Sequence, residues 1–397
     1  GLNRVLSRIC DRRKKGRRNV IYNMALPPRF TPDIIKHLAE NQLCREKFDS
    51  KIIIEKPFGR DQKSAQRLNR MIEESFDEEQ IYRIDHYLGK ETVQNIIFFR
   101  FSNSIFEPLW NRRYIDNIQI TVAESIGIGH RGAFYENAGV VRDIVQNHLL
   151  QLVALTAMEP PVGFEPDYIR DEKVKIFRSL RVVEKEKIDD FAVRGQYGPG
   201  RIDGREVPGY RQEDDVSPDS NTPTFIAGRL QIDNWRWSEV PFYIRTGKRL
   251  PRRLTRICVQ FTQPPLQLFS RTCRSLDPNF LVLTIQPRQE IGIHFGVKHP
   301  RSRNQIYPVD MEFDYEKTFD FKSHPPYQRL LIDCMRGDLT LFVRRDGVEA
   351  QWAVVDPIIE RWENDPAADF PNYAAGTWGP EKAEELLRKD GRNWITG

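Results

Sequence analysis

Two short apolar runs near the start, residues 20–26 and 51–55, are each followed by a helical pattern. The order strand, helix, strand, helix needs crossover connections, so this part is restricted to a parallel sheet with helices on its faces. The first run, Val20-Ile21-Tyr22-Asn23-Met24-Ala25-Leu26, stops at Pro27-Pro28, and the second, Lys51-Ile52-Ile53-Ile54-Glu55, at Lys56-Pro57-Phe58-Gly59. Proline cannot donate to a ladder and so punctuates strands. Thr31-Pro32-Asp33 marks a helix start, with the helix over 34–43, and a second helix is expected over 61–76. Lys56 then falls at the carboxyl end of a parallel strand, the edge where open α/β sheets bind ligands. A cis Pro57 would fix the loop that carries it.

Past about residue 110 the pattern changes. Alternating strands are expected at 118–122, 224–232, 242–245, 257–261, 280–285 and 311–313, and helices at 138–158, 171–182, 327–335 and 348–362. This predicts an α+β part with a large, mostly antiparallel sheet. Residues 195–222, rich in Gly, Pro, Asp and Ser, are expected to form a long functional or mobile loop.

The 397 residues suffice for two or three domains. Hydrophobic content of 39% with 29% charge excludes a disordered or membrane chain, and no apolar run is long enough to span a bilayer. Residues 1–10 lack the apolar core of a signal peptide. Cys10, Cys44, Cys258, Cys273 and Cys334 are odd in number and form no C-x-x-C pair, which argues against disulfides or zinc and for a reducing cytoplasm. A net charge of +5 is too slight to imply nucleic acid. The basic run from Arg12 to Arg18 lacks interleaved aromatics and reads as a solvated face.

Four segments carry candidate chemistry. Arg83-Ile84-Asp85-His86-Tyr87-Leu88-Gly89-Lys90-Glu91 gathers a carboxylate, an imidazole, a phenol and an ammonium within six residues, Asp85 to Lys90. Such groups are costly to bury without partners, so a polar ligand, most simply a phosphate, is expected. Arg142-Asp143-Ile144-Val145-Gln146-Asn147-His148 puts a second polar cluster at the wet end of an apolar helix. Asp143 and His148, five apart, do not stack on an α-helix. Lys248, with Arg252 and Arg253 beyond, follows a strand and reads either as a cationic site or as a solvated turn. Gly127-Ile128-Gly129-His130-Arg131-Gly132 matches G-x-G-x-x-G, but with no helix opening directly after it and no acid-tipped strand beyond, it is expected to be an ordinary turn.

The first two of these segments, with Ala25-Leu26-Pro27-Pro28 and Glu55-Lys56-Pro57-Phe58-Gly59, resemble the glucose-6-phosphate dehydrogenase family, its bacterial form most. The resemblance extends through Arg245-Thr246-Gly247-Lys248, Ile285-Gln286-Pro287, Tyr327-Gln328-Arg329-Leu330-Leu331 and Gly376-Thr377-Trp378-Gly379-Pro380, in family order. It implies oxidation of glucose 6-phosphate to the 6-phosphogluconolactone with NADP, or NAD, the first step of the oxidative pentose phosphate pathway. His148 is then the general base and Asp85 its carboxylate partner. His86, Tyr87 and Lys90 clamp the phosphate, with Lys248, Arg253 and Gln286 as further substrate contacts. Glu124 and Asp143 accept hydrogen bonds from sugar hydroxyls, and Lys56 touches both sugar and coenzyme. No metal is implied.

The family's first strand and Gly-rich turn would precede Gly1, so residues 1–84 are expected to be the later part of a Rossmann-like coenzyme domain, with coenzyme binding weakened. Residues 85–397 are expected to be the substrate-binding domain, whose large sheet makes a homodimer or homotetramer. Thr284 stands where some eukaryotic members use an arginine for a second, structural NADP, which speaks against that site. The alternative from another class is a non-catalytic sugar-phosphate-binding or assembly module.

Overall fold

The computed structural model describes residues 19–26, 30–41, 43–44, 49–266, 268, 276–301, 305–320 and 324–395. The basic run Arg12–Arg18, Pro27-Pro28, Cys10 and Cys273 lie outside them. Strands β1 (Asn19–Met24), β2 (Asp49–Glu55) and β3 (Ile81–Ile84) are parallel neighbours. Ile52, Ile53 and Ile54 are all buried, because the sheet is covered on both faces. Helices α1 (Thr31–Glu40) and α2 (Gln62–Glu73) make the expected crossovers. In α2 the Asp61 carboxylate accepts from the Ser64 N–H at 2.6 Å while the Ser64 hydroxyl accepts from the Asp61 N–H at 3.0 Å. This capping box starts the helix within one turn of the Lys56 loop. The antiparallel pair Phe342–Val343 closes the sheet against β3.

Helix α3 (Glu91–Phe101) leads into the second sheet. Its strands are β4 (Ile115–Ala123), β5 (Ala192–Gly195), β6 (Phe225–Leu230), β7 (Phe242–Gly247), β8 (Leu254–Phe261), β9 (Phe280–Gln286), β10 (Glu290–Lys298) and β11 (Ile306–Asp314). Their order is β11-β10-β9-β8-β4-β7-β6-β5, and every adjacent pair except β4 and β7 is antiparallel.

The remaining helices of the described residues that matter for the site are α4 (Gly132–Val140), α5 (Leu150–Ala157), α6 (Pro166–Ser179), α7 (Pro326–Arg336) and α8 (Arg345–Asn364). The single helix expected over 138–158 is instead three pieces. Gly139 breaks α4 with φ +60°, and Val141–Leu149 is a π-helix before α5 begins. The Asn147 side chain donates to the Arg142 carbonyl at 3.0 Å and accepts the His148 N–H at 2.7 Å, which holds the ladder open by one residue.

The segment 195–222 is braced. Within it Tyr197–Gly198 pairs with Tyr373–Ala374, and Gly200–Ile202 with Arg205–Val207. The G-x-G-x-x-G turn is packed beneath it, and a Cβ on Gly127 would sit 2.1 Å from a Glu213 carboxylate oxygen. A helix does open there, at Gly132, yet Gly127 and Gly132 serve close packing, while Gly129 supplies a turn with φ +53°. One apolar core joins the two sheets. Within it Trp352 of α8 donates its indole N–H to the Phe58 carbonyl at 2.8 Å, fastening the loop after β2 to the second sheet's helices.

Candidate active site

Strand register sets the site. β4 and β7 run parallel with Ala123 opposite Gly247, so the next residues, Glu124 and Lys248, emerge side by side at the carboxyl ends. They form an ion pair, and Lys248 also reaches Asp143 at 3.4 Å. β8 and β9 pair with Thr255 opposite Gln286, which brings Arg253 and Gln286 to the same end. From the first sheet, β2 delivers Lys56 and β3 delivers Asp85 with the turns that follow. The Lys56–Pro57 bond is cis, as expected. Gly59 has φ +82°, and a Cβ there would lie 2.5 Å from the Ala65 nitrogen, so only glycine lets the loop turn against α2.

These ends enclose a cavity of about 1350 Å³. Every residue predicted for the site lines it except Asp85, which is 2% exposed behind His148. His148 Nδ1 lies 2.5 Å from Asp85 Oδ1, and His148 Nε2 lies 2.9 Å from Lys56 Nζ. A carboxylate only accepts and an ammonium only donates, so Nδ1 carries the proton and Nε2 keeps its lone pair toward the cavity. The Tyr87 ring stacks on the imidazole at 4.4 Å and 17°, and the His86 ring meets its edge at 4.4 Å. Lys56 also bonds Asp143 at 3.2 Å. Asp143 and His148 therefore share one partner, Lys56, because the π-helix brings residues five apart onto one face, where an α-helix would not.

At the far end Lys90 Nζ and Arg253 Nη2 each donate to the same neutral oxygen, Gln286 Oε1, at 3.0 Å. Gln286 donates in turn to Thr255, which the Tyr87 hydroxyl also approaches at 3.4 Å. No carboxylate among the described residues pairs with Lys90 or Arg253. Two cations on one neutral acceptor leave a charge deficit that a phosphate dianion would fill. Residues 85–90 form consecutive turns that aim His86, Tyr87 and Lys90 into the cavity.

The environment tunes these groups. Burial lowers the His148 imidazole, and Lys56 adds to this; together they outweigh the raising effect of Asp85. Burial pushes Asp85 upward, but His148 and the Tyr87 N–H hold it well below the usual carboxylate range. Asp143 is likewise held low against its burial by Lys56 and Lys248. His86 is lowered to about 3, mainly by burial, and Lys90 to about 8, by burial and then by Arg253.

Residues 97–395 match the family model for the glucose-6-phosphate dehydrogenase C-terminal domain, and residues 1–95 that for its NAD binding domain. The chain belongs to the glucose-6-phosphate dehydrogenase family. It is 46% identical over 376 residues to glucose-6-phosphate 1-dehydrogenase of Bacillus subtilis, covering 95% of this chain and 77% of that relative. It is 44% identical over 386 residues to the Chlamydia pneumoniae enzyme, covering 95% and 75%. Among solved structures, a glucose-6-phosphate dehydrogenase in complex with its substrate superposes with a TM-score of 0.89 at 32% identity, covering 100% of this chain and 80% of that one. The Mycobacterium avium enzyme gives 0.81 at 35%, covering 99% and 80%.

For a glucose-6-phosphate dehydrogenase family member the cavity has a natural division. Its wall at the carboxyl ends of β1 and β2 is formed by Met24, Leu26, Ile54 and Leu68, with Arg60 and Arg142 at the rim. Lys56 follows β2 directly and lines the same cavity. Asp85, His86 and His148 offer ligand atoms within 4.8 Å of one another, as a metal site would. The Asp85–His148 hydrogen bond and the Lys56 ammonium already engage Asp85 Oδ1 and both His148 nitrogens, so Asp85 and His148 read as an acid–base pair. Thr255, which joins Tyr87 to Gln286, is a site residue that sequence reasoning missed; a lone strand threonine gives no signal.

Proposed function

We propose that this chain oxidises the C1 hydroxyl of glucose 6-phosphate to the 6-phosphoglucono-lactone. The observation that carries the reading is the His148–Asp85 pair at one end of a cavity whose other end holds Lys90 and Arg253 without a counter-anion among the described residues. NADP, or NAD, supplies the hydride acceptor when bound. His148 Nε2 takes the C1 hydroxyl proton, and Asp85 holds the imidazole in the required tautomer and stabilises the imidazolium. Glu124 and Asp143 accept hydrogen bonds from sugar hydroxyls, with Lys248 fixing both carboxylates. Lys56 contacts sugar and coenzyme together. His86, Tyr87, Lys90, Arg253 and Gln286 hold the phosphate.

Residues 1–84 serve the coenzyme and 85–397 the substrate and self-association, a division supported by β3 ending at Ile84. The chain forms a homodimer or homotetramer through the large sheet and works in the cytoplasm; no helix among the described residues is long and apolar enough to cross a membrane. His148→Asn keeps much of the ring's size and hydrogen bonding but removes the base. It is expected to lower kcat roughly a hundred- to ten-thousandfold while the KM for glucose 6-phosphate stays within a few-fold. An unchanged kcat in steady-state assays would refute the base assignment.

A further inference from the structure

Lys173 on α6 is 3% exposed, and among the described residues no hydrogen bond or ion pair reaches its ammonium. Lysine is almost never buried in this way without a partner. It lines a small second cavity of about 90 Å³ together with Leu88, Gln94 and Asp333. Leu88 belongs to the turn that donates its N–H to the Asp85 carbonyl at 3.0 Å, so this cavity lies against the segment bearing the dyad's carboxylate. The two carboxylates that line the same small cavity are engaged elsewhere: Asp333 pairs with Arg329 at 2.9 Å, and Asp338 accepts the Thr340 N–H at 2.8 Å. On the other side, Asp85 Oδ2 is buried and has no hydrogen-bond partner among the described residues. Its Oδ1 is spent on His148 and the Tyr87 N–H.

We propose that Lys173 is a positioning residue for the reaction: its buried ammonium attracts the free oxygen of Asp85, holding that carboxylate with Oδ1 turned to His148. The foremost attractive charge on Lys173 is Asp85, opposed by Arg170 and Arg344. Burial lowers the ammonium to about 8, so it is still mostly charged at neutral pH. The dyad itself is also faced by Lys56, Asp143, His86 and Tyr87.

The inference rests on His148 being the base, and the test separates the two. In the enzyme carrying Lys173→Met, a cation that disfavours the imidazolium is gone. The acid limb of kcat/KM is expected to move to higher pH by roughly one unit, kcat to fall, and the KM for glucose 6-phosphate to stay within about twofold. Lys173→Gln, which keeps a polar head, should give the same shift. Histidine carbon-13 NMR, with the His148 signal identified by its loss in His148→Asn, should show the same displacement without turnover. Superimposable pH limbs and His148 titrations overturn the proposal, as would loss of the fold in both variants, which would make the ammonium structural. If His148→Asn abolishes turnover while Lys173→Met leaves the limb in place, only this inference fails.

Discussion

The two nitrogens of His148 answer to opposite neighbours, and that sets how activity depends on pH. The working form is the neutral ring. Burial and Lys56 lower its pKa below the ordinary 6.5, so kcat/KM should fall only as pH drops beneath that value. Asp85→Asn removes an influence that raises the imidazole, so the acid limb should move to still lower pH. Turnover should drop on the order of a hundredfold, because an amide can present its N–H to Nδ1 and select the wrong tautomer. A limb displaced to higher pH in the pH–rate profile would contradict the assignment of roles. At this scale the sequence was informative where chemistry is contiguous: Asp85, His86, Tyr87 and Lys90 stand within six residues. It was silent about Thr255 and about the 63-residue separation that the Asp85–His148 bond closes.

Among the elements, the π-helix was the least legible. Apolar periodicity over 138–158 says helix, and nothing in it distinguishes one ladder from a wider one; the Asn147 side chain decides that, and only its contacts reveal it. Helix α3 was missed because Val93, Ile96, Ile97, Phe98 and Phe99 give no clear period, and β10 because Gly292 and Gly296 interrupt its alternation. The crossovers α1 and α2 were legible from Pro32 and from the apolar spacing of Ala65, Leu68 and Ile72. The clamp between α8 and the loop after β2 invites a direct test. Trp352→Phe keeps most of the ring but leaves the Phe58 carbonyl without its donor, at a cost of about 1–3 kcal/mol. Phe58 is two residues from Lys56, so thermal denaturation should show a lower Tm and kinetics a lower kcat/KM. An unchanged Tm would mean the bond is dispensable.

For the whole molecule, the sequence supported a parallel layer followed by a mostly antiparallel one, and the large sheet has that form. Its outer strands β10 and β11 expose Val297, Tyr307, Met311 and Phe313, with Met311 61% exposed. A soluble surface rarely leaves such residues together unless something covers them. A second copy of the chain through this sheet predicts a dimer or tetramer mass in light scattering. Met311→Lys, which places a charge in the seam, should shift that mass toward the monomer at micromolar concentration. A mass unaffected by the substitution would put the interface elsewhere.

The shared grip of Lys90 and Arg253 on Gln286 also makes substrate capture a proton-coupled event. Lys90 titrates at about 8 because it is buried beside another cation. An arriving phosphate reverses that balance and raises its pKa, so around pH 8 to 9 the enzyme should draw protons from solution as glucose 6-phosphate binds. Titration calorimetry in buffers of different ionisation enthalpy would read this as a buffer-dependent heat that fades toward pH 7, and a heat independent of buffer at pH 8.5 would show that Lys90 keeps its proton throughout.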